Sequence, residues 1–389
     1  CMSEDKTYSA YFDNAATTFP KPQIVYDFMN EFYRTNGGNA GRGNSTQSLS
    51  SGYLIQDTRE KIQELFHAPS KQVVFTSGAT MSLNIIIQGL IKEGTRNIYI
   101  SPFEHNAVTR TLHEYEKEKQ ISVFELNLDR NLNYDFEKIR YAFENKKPDL
   151  VIISHASNVF GLVSPVEKIF VLAKKYGAVT LTDMAQTAGL VDLNLEQEIF
   201  DFAVFAGHKT LYGPTGIGGF VMKKNLNLKS IYFGGTGFES AKQEMPSSLP
   251  ERFEAGTLNI LGIAGLNASV KWILKTGIKN IYAKEIENRE KLLKIFSNYE
   301  FVKIAGNKSE NHYTGIVSVL LDGIPSDTAD QIFSKQGISV RSGLQCAPSA
   351  HKTLGTFPAG TIRFSPGYFT TEEDFEKLEN CFNYIEENL

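Results

Sequence analysis

Two apolar runs decide the predicted fold: LVIIS at Leu150–Ser154 and AVTLT at Ala178–Thr182. Both are continuous runs of aliphatic and β-branched residues, which is typical of parallel strands that are covered on both faces. Between them, residues 166–176 carry apolar side chains at helical spacing. A strand, a helix and a second strand in this order predict one unit of a parallel α/β sheet.

The same alternation continues on both sides of these runs. Strands are predicted at 73–76, 97–101 and 121–126, and each of them is followed by a helical pattern. A further apolar run at 202–205 predicts another strand. We therefore predict a large, doubly wound, mostly parallel α/β domain with helices on both faces of the sheet.

Two domains are predicted from the length of 389 residues, which exceeds what one ordinary core supports. Strands near 315–321 and 337–341 indicate a smaller α/β portion at the C-terminus. We expect residues 1–32 to form an N-terminal segment that packs with the small domain. Residues 33–258 should form the large domain, and residues 259–389 a linking helix and the small domain.

Composition argues against several classes of function. A formal net charge of -4, with lysines scattered among acids, gives no basic stripe for a nucleic acid. No apolar segment reaches the roughly 20 residues that span a bilayer, so no membrane partner is expected. Cys1, Cys346 and Cys381 form no CxxC pair, which argues against a disulfide framework and a metal site. A cytoplasmic protein with reduced thiols and a small-molecule substrate is predicted.

Three polar residues follow predicted strands: Asn158, Asp183 and Lys209. In a doubly wound sheet, sites gather at the carboxyl ends of the strands, so we expect these side chains to converge. Lys209 lies in a glycine-rich turn after a buried strand, where desolvation favours the neutral amine that attacks carbonyls. It is therefore a candidate Schiff-base lysine. A surface lysine and a helix-capping aspartate are the structural alternatives.

Small residues open a helix directly after the strand at 73–76. The sequence Ser77-Gly78-Ala79-Thr80 leaves backbone N–H groups at the positive end of the helix dipole, which suits a phosphate. Ordinary helix capping would also favour serine and threonine here. The glycines around Lys209 match neither a P-loop, which needs glycine directly before the lysine, nor a dinucleotide-binding loop, which follows the first strand.

Eight motifs occur in a fixed order along nearly the whole chain: FTSGAT at 75–80, EHN at 104–106, SNV at 157–159, TDMAQ at 182–186, GHK at 207–209, RFEAGT at 252–257, RSGLQC at 341–346 and TIRFS at 361–365. Together they resemble the class V aminotransferases. More narrowly, the chain resembles the cysteine desulfurase and selenocysteine lyase branch of the fold-type-I pyridoxal-phosphate enzymes.

The resemblance implies a pyridoxal 5'-phosphate cofactor. Lys209 would hold it through a Schiff base, be displaced by the substrate amine, and then act as the base that moves the Cα proton. Asp183 would bind the protonated pyridine nitrogen, which keeps the ring an electron sink, and His105 would stack on the ring. Asn158 and Gln186 would hydrogen-bond on the side of the phenolic oxygen.

The cofactor phosphate would rest on Ala79 and Thr80 at their helix N-terminus. The resemblance adds His208 and, from a second subunit, Thr257, so that a homodimer is implied. The chain also departs from the usual family pattern at and near the residues that would bind the cofactor: Ala206 replaces a serine, Ala79 a threonine, and Asn106 a histidine.

Arginines are the candidate ligands of the substrate carboxylate. The resemblance implies that Arg363 clamps it bidentately, which the planar guanidinium fork suits better than a lysine would. Arg341 and Arg42 are second candidates for the same pocket, Arg42 from the partner chain, and Asn158 also borders the substrate. An ordinary ion pair of Arg363 is the structural alternative.

Cys346 lies in a short polar segment, Gly343–Pro348, where an exposed thiol could become a thiolate. The resemblance implies that it attacks the γ-sulfur of bound L-cysteine, giving L-alanine and a persulfide that a sulfur-acceptor protein could receive. The alternative is a free structural cysteine, although such cysteines usually lie in apolar runs, as Cys381 does.

We therefore predict a homodimeric cysteine desulfurase. Three alternatives stay open: a selenocysteine lyase, which acts on L-selenocysteine and depends less on Cys346; a class V aminotransferase or lyase, in which Cys346 is incidental; and a catalytically inactive cofactor-binding regulator. Intact Lys209, Asp183 and Arg363 argue against the last of these.

Overall fold

The computed structural model describes residues 9–39, 45–308 and 311–388. These residues divide into two compact units. The large unit comprises Lys21–His155 and Ser164–Lys279. The small unit comprises the described residues up to Pro20, the segment Ala156–Val163, and the described residues from Asn280 onward. The N-terminal part of the small unit thus ends at Pro20, and the internal segment Ala156–Val163 belongs to the same unit. The predicted domain bounds stay a prediction.

Helices and strands alternate along most of the described chain. The strands are β1 (Ala10–Tyr11), β2 (Gln72–Thr76), β3 (Asn97–Ile100), β4 (Ser122–Glu125), β5 (Leu150–Ser154), β6 (Val179–Asp183), β7 (Phe202–Ala206), β8 (Gly218–Met222), β9 (Val302–Ile304), β10 (Val317–Leu321), β11 (Ile338–Ser339), β12 (Arg341–Gly343) and β13 (Thr361–Phe364). The helices are α1 (Gln23–Asn36), α2 (Thr46–Leu65), α3 (Ala79–Lys92), α4 (Asn106–Lys117), α5 (Phe136–Asn145), α6 (Val166–Lys175), α7 (Ile260–Thr276), α8 (Ile278–Ser297), α9 (Ser326–Lys335), α10 (Pro348–Leu354) and α11 (Glu372–Glu387).

The large unit is built on a seven-stranded sheet with the order β2-β8-β7-β6-β5-β3-β4. Strands β4, β3, β5, β6 and β7 run parallel to one another, whereas β8 is antiparallel to both of its neighbours. The prediction of a large, mostly parallel α/β sheet is therefore confirmed. Because parallel strands end at the same edge of a sheet, the residues that follow β3, β6 and β7 gather at that edge.

The antiparallel strand β8 was not predicted from the sequence. It begins with Gly218 and Gly219, and glycine is depleted in strands. A Cβ atom at Gly219 would collide with the backbone oxygen of Val74 and the ring of Phe205. The close approach of neighbouring backbones thus requires a residue type that local propensity disfavours.

Apolar side chains on α3 form the centre of the large unit's core. Leu83, Ile86, Ile87 and Leu90 of this helix are all buried. Each Å² of apolar surface that this packing removes from water stabilises the fold by about 25 cal/mol. The N-terminus of α3, at Ala79, comes three residues after β2 ends at Thr76.

The small unit contains a four-stranded antiparallel sheet with the order β12-β13-β10-β9 and a parallel pair of β1 with β11. Its core is rich in aromatic rings: Phe296, Phe333 and Phe382 each contact Phe364 of β13. These contacts fix β13 in the interior of the unit. One consequence is that Arg363, next to Phe364, is also held in a buried strand.

The stretch predicted as one linking helix is two helices, α7 and α8. Gly277 separates them with a φ of +88°, a conformation that favours glycine. The boundary between the two units follows at Lys279. None of the described helices is both long enough and apolar enough to cross a bilayer.

Candidate active site

The carboxyl edge of the large sheet carries three of the predicted site residues. Asp183 is the last residue of β6, Lys209 follows β7, and His105 follows β3. Asp183 pairs in register with Val204 of β7, so that it lies beside the strand that leads into the lysine turn. Burial raises the pKa of Asp183, and the nearby Lys209 ammonium opposes this effect more weakly.

Backbone hydrogen bonds hold the turn that carries Lys209. Gly207 N–H donates to Ile217 O at 3.0 Å, Gly213 N–H donates to Gly207 O at 2.7 Å, and Tyr212 N–H donates to Lys209 O at 2.8 Å. A Cβ atom at Gly207 would lie 2.6 Å from the oxygen of Ile217, so only glycine fits this approach. Lys209 is half-buried in this turn, unlike the exposed lysine of the structural alternative.

Asp183 is buried, and one oxygen of its carboxyl group is hydrogen-bonded to the backbone. Oδ1 accepts a hydrogen bond from Ala185 N–H at 2.9 Å. The described residues between β6 and β7 contain no helix, so Asp183 is not a helix cap in this part of the chain. Burial raises its pKa from the ordinary value. A carboxyl group in such surroundings is stabilised as an anion by a cationic N–H group.

His105 is the N-cap residue of α4. Its Nδ1 accepts a hydrogen bond from Ala107 N–H at 3.0 Å. Since Nδ1 is the acceptor, the ring proton of the neutral imidazole lies on Nε2. The hydrogen bond also fixes the orientation of the ring, which a role in stacking on a flat cofactor requires.

Glu104, the residue before His105, was not predicted from the sequence to be a site residue. Glu104 is fully buried and joins the ends of two strands: Ser101 Oγ donates to Oε1 at 2.5 Å, Ser154 N–H donates to Oε1 at 2.6 Å, and Ser154 Oγ lies 2.9 Å from Oε2. Burial raises the pKa of Glu104 to about 8. The EHN motif contained an indication of this role, because an acidic residue that lies four positions after a buried strand needs hydrogen-bond partners if it is buried too.

The N-terminus of α3 remains a candidate phosphate site. Its N-cap residue is Gly78, and no side chain caps the helix there. A cavity of about 200 Å³ is lined by residues next to this helix end, including Ser77, Met81 and Thr257. Burial lowers the pKa of His208 to about 4, with smaller contributions from Lys209 and Lys21. His208 is therefore neutral at pH 7 and can contribute a hydrogen bond but not a charge.

A buried ion pair anchors the end of the long loop that leads to Thr257. Both nitrogens at the end of Arg59 donate to Glu254, at 2.8 and 2.6 Å, and Phe75 N–H donates to the same carboxylate at 2.7 Å. Burial raises the pKa of Glu254, although Arg59 opposes the effect. Thr257 itself is exposed, three residues beyond this anchor.

Arg363 is buried in the small unit, and two of its nitrogens have partners. Nη1 donates to Asn158 O at 2.9 Å, and Nη2 donates to Asp13 Oδ1 at 2.9 Å. Nε is buried and has no hydrogen-bond partner among the described residues. Burial lowers the pKa of the guanidinium, whereas Asp13 and, more weakly, Cys346 raise it. Arg363 thus has an ion pair and also an unused donor.

Asp13 is a second residue that sequence reasoning missed. Its Oδ2 accepts hydrogen bonds from Nη2 of Arg341 at 2.6 Å and from Nε of Arg341 at 3.1 Å. Arg341 and Arg363 pair directly across β12 and β13, and like charges at such positions repel. Asp13 compensates both charges. One indication of this role was present in the sequence, because a charged residue directly follows the apolar residues Ala10–Phe12.

The two cysteines of the described chain lie in opposite environments. Cys346 is exposed, whereas Cys381 is buried in the small unit's core. Burial raises the pKa of the Cys381 thiol to about 12. Cys346 therefore has the accessibility that a reactive thiol needs, and Cys381 has the surroundings of a structural cysteine.

The predicted site residues fall into two groups. The large unit holds eight of them: His105, Asp183, Gln186, His208, Lys209, Ala79, Thr80 and Thr257. The small unit holds the other described ones: Asn158, Arg341, Arg363 and Cys346. Asn158 thus belongs to a different unit from Asp183 and Lys209, and its Nδ2 donates to Gln345 O at 2.6 Å. Arg42 lies outside the described residues.

Comparison with known proteins identifies similar chains. The sequence profile of the aminotransferase class-V family matches residues 10–378. A probable cysteine desulfurase of Methanothermobacter thermautotrophicus is 31% identical over 381 residues, which is 96% of this chain and 94% of the relative. A probable cysteine desulfurase of Pyrococcus abyssi is 30% identical over 389 residues, which is 97% of this chain and 93% of the relative.

A solved structure is also similar. The apo structure of a cysteine desulfurase from Thermococcus onnurineus NA1 superposes with a TM-score of 0.89 at 28% identity. The match covers 98% of this chain and 95% of that one. The resemblance that the eight motifs indicated is therefore confirmed over nearly the full length.

Proposed function

The chain belongs to the aminotransferase class-V family of pyridoxal-phosphate-dependent enzymes, and from this premise we propose that it converts L-cysteine to L-alanine and takes the sulfur as a persulfide on Cys346. The observation that carries the proposal is the exposed thiol of Cys346 in the unit that also holds Arg363. The similar proteins that are named cysteine desulfurases support the choice of substrate.

The residues of the large unit fit the cofactor. Asp183 is a buried carboxyl group at the end of β6, which a protonated pyridine nitrogen would stabilise as an anion. Lys209 is half-buried in a fixed turn, and the uncapped N-terminus of α3 has the backbone donors that a phosphate needs. When it is bound, pyridoxal phosphate supplies an electron sink for the bonds at the substrate Cα.

Arg363 is proposed to bind the substrate carboxylate. A guanidinium has five N–H donors, and two nitrogens of Arg363 already bind Asn158 and Asp13. The unused Nε–H, with a second N–H of a neighbouring nitrogen, offers the two parallel donors that a carboxylate prefers. The ion pair with Asp13 therefore orients Arg363 without occupying all of its donors.

The proton transfers are assigned to Lys209. As a free amine it takes the proton from the substrate Cα, and it later returns a proton to the product. His105, whose orientation the hydrogen bond from Ala107 fixes, is proposed to pack against the cofactor ring. Gln186, three residues beyond Asp183, is buried and is proposed to bind near the phenolic oxygen.

The sulfur transfer balances without an external oxidant. The thiolate of Cys346 attacks the substrate sulfur, so that a sulfur–sulfur bond forms and the bond from that sulfur to the substrate Cβ breaks. The electron pair of the broken bond stays with Cβ, which takes up a proton to become the methyl group of alanine. Cysteine and the Cys346 thiol thus give alanine and a Cys346 persulfide.

We also propose a homodimer, with Thr257 contributing to the phosphate shell of the partner. The large unit exposes several large apolar side chains that a second copy could cover. They are Tyr33, Leu49, Tyr53, Tyr232, Phe233, Phe238 and Leu261. A thiol that must be reduced for each turnover suits the cytoplasm, where a sulfur-acceptor protein or a small thiol would take the persulfide sulfur.

The test is to incubate the purified enzyme with cysteine and a reducing thiol and to identify the amino acid product. Alanine in equal amount to released sulfide supports the proposal. Cys346→Ser should abolish alanine formation from cysteine, while Cys381→Ala, which removes the buried thiol, should retain it. Pyruvate as the product, or full activity of Cys346→Ser, would contradict the proposal.

A further inference from the structure

Cys346 occupies a tight turn with an unusual backbone. Ala347 N–H donates to Leu344 O at 2.9 Å and closes a turn in which Gln345 and Cys346 are the two central residues. Both have positive φ angles, +41° and +57°. Turns with two such residues strongly prefer asparagine and glycine, because a Cβ atom is crowded in this conformation. The surrounding structure must therefore stabilise the turn.

The side chain of Gln345 supplies much of that stabilisation. Its Nε2 donates to Thr361 O at 3.0 Å and to Arg341 O at 3.3 Å. Its Oε1 lies 2.9 Å from Nε2 of His351 and accepts a hydrogen bond from Thr361 Oγ1 at 3.4 Å. The side-chain amide thus joins the turn to both β12 and β13, the strands that carry Arg341 and Arg363.

His351 holds this amide in place from α10. Because an amide oxygen can only accept, Nε2 of His351 must be the donor to Gln345. Nδ1 is then the acceptor, and the hydroxyl group of Thr356, 2.7 Å away, donates to it. His351 is fully buried, and burial lowers its pKa to about 4, so that this arrangement persists at neutral pH.

The backbone of the same turn is tied to the carboxylate-binding arginine. Gln345 O accepts from Asn158 Nδ2 at 2.6 Å, and Asn158 O accepts from Arg363 Nη1 at 2.9 Å. Two routes, one through the Gln345 side chain and one through Asn158, therefore connect the residue before Cys346 to β13. The spacing between the thiol and Arg363 depends on both.

We propose that His351 is a positioning residue for the Cys346 thiol and acts through the side chain of Gln345. The inference rests on the proposed function, in which Cys346 attacks the sulfur of a substrate held by Arg363. Without His351, the Gln345 amide loses a partner and the turn samples other conformations. The substrate would still bind, but the thiol would meet the substrate sulfur less often in the geometry that reacts.

The experiment compares His351→Ala with His113→Ala, a matched variant of an exposed histidine on α4. Amide hydrogen exchange of peptides covering residues 343–348 measures the order of the turn without any catalysis. We expect faster exchange in His351→Ala, a fall in kcat for alanine formation of about 10-fold or more, and a KM for cysteine within about twofold of the original. The cofactor absorbance should be unchanged, and His113→Ala should behave as the unmodified enzyme.

Two results would overturn the proposal. One is unchanged exchange of the turn in His351→Ala; the other is faster exchange with kcat retained within about twofold. If His351→Ala fails to fold, Thr356→Val removes the partner of Nδ1 and should shift exchange and kcat in the same direction by a smaller amount. No shift in that variant counts equally against the proposal.

A double-variant comparison tests the route through Gln345. Because both residues act through one element, His351→Ala combined with Gln345→Ala should be no slower than Gln345→Ala alone. Losses that multiply would contradict this route. Cys346→Ser separates the two proposals: if it still forms alanine, the proposed function fails even where hydrogen exchange shows that His351 orders the turn.

Discussion

Oδ1 of Asp13 lies 2.9 Å from Nη2 of Arg363, and both side chains are almost completely buried. The other oxygen of the same carboxylate binds Arg341, whose side chain is 52% exposed. One acid near the N-terminus therefore neutralises two arginines that lie opposite each other on β12 and β13. The orientation of Arg363, and with it the proposed binding of a substrate carboxylate, depends on a residue 350 positions away in sequence.

Asp13→Asn should destabilise the small unit strongly, because it leaves Arg363 buried without its counter-charge. Breaking a buried ion pair typically costs about 3 to 5 kcal/mol. Arg341→Gln removes the half-exposed partner of the same carboxylate and should cost less than about 1 kcal/mol. Urea unfolding of both variants measures the difference. Equal losses in the two variants would contradict the separate roles assigned to the two arginines.

Lys209→Ala should remove the visible absorbance of the purified holoenzyme, since the lysine amine is the proposed covalent attachment of the cofactor. Lys224→Ala, which changes an exposed lysine beyond β8, is the matched control and should keep the absorbance. A spectrum of Lys209→Ala that is unchanged, with the fold intact by circular dichroism, would exclude the assignment of Lys209.

Glu104 should make stability depend on pH. Burial raises its folded pKa from 4.5 to about 8, so its contribution to stability is complete below about pH 4.5 and is lost as the pH rises through about 8. Glu104→Gln cannot ionise. Its free energy of unfolding, relative to the original protein, should therefore rise with pH by up to about 1 kcal/mol per pH unit between the two values.

The matched control for this prediction is Glu114→Gln, which changes an exposed glutamate on α4. Its unfolding free energy should follow that of the original protein at every pH. Denaturant unfolding between about pH 5 and pH 8 provides the measurement. A constant difference between Glu104→Gln and the original protein over this range would show that Glu104 does not titrate as inferred.

Ala206→Ser should strengthen cofactor binding. Ala206 ends β7 directly before the turn of Lys209, at the position where the family usually has a serine. A hydroxyl group there would add one hydrogen bond to the proposed phosphate shell, worth about 1 kcal/mol or roughly fivefold in Kd. Titration of the apoenzyme with pyridoxal phosphate measures this change in Kd.

Ala203→Ser, which places a serine earlier in the same buried strand, is the control for Ala206→Ser and should leave the Kd unchanged. Weaker binding in Ala206→Ser, with the Ala203→Ser value unchanged, would mean that the added hydroxyl group meets no phosphate oxygen. Ala206 would then have a packing role only.

The sequence predicted much of the fold because its signals there are local. The runs at 150–154 and 202–205 are strands within one residue of the expected bounds. Short continuous apolar runs flanked by turns adopt few other secondary structures. Strand β8 was missed because its two glycines are required by backbone contacts with other strands. No pattern within five residues contains that information.

The site residues divide in the same way. Lys209 and Asp183 could be proposed from the sequence because a residue after a buried strand is easy to locate. Asp13, Glu104 and His351 could not, because their roles depend on partners in distant segments. His351 has a plain helical context in the sequence, and only its hydrogen bonds to Gln345 and Thr356 distinguish it.

The central claim is that Cys346 receives the sulfur of cysteine. The most direct measurement is the mass of the peptide that contains Cys346 after the holoenzyme has reacted with cysteine in the absence of a reducing thiol. We predict a mass increase of one sulfur atom on Cys346, none on Cys381, and release of one alanine for each modified chain. Alanine or pyruvate formed while Cys346 stays unmodified would contradict the account.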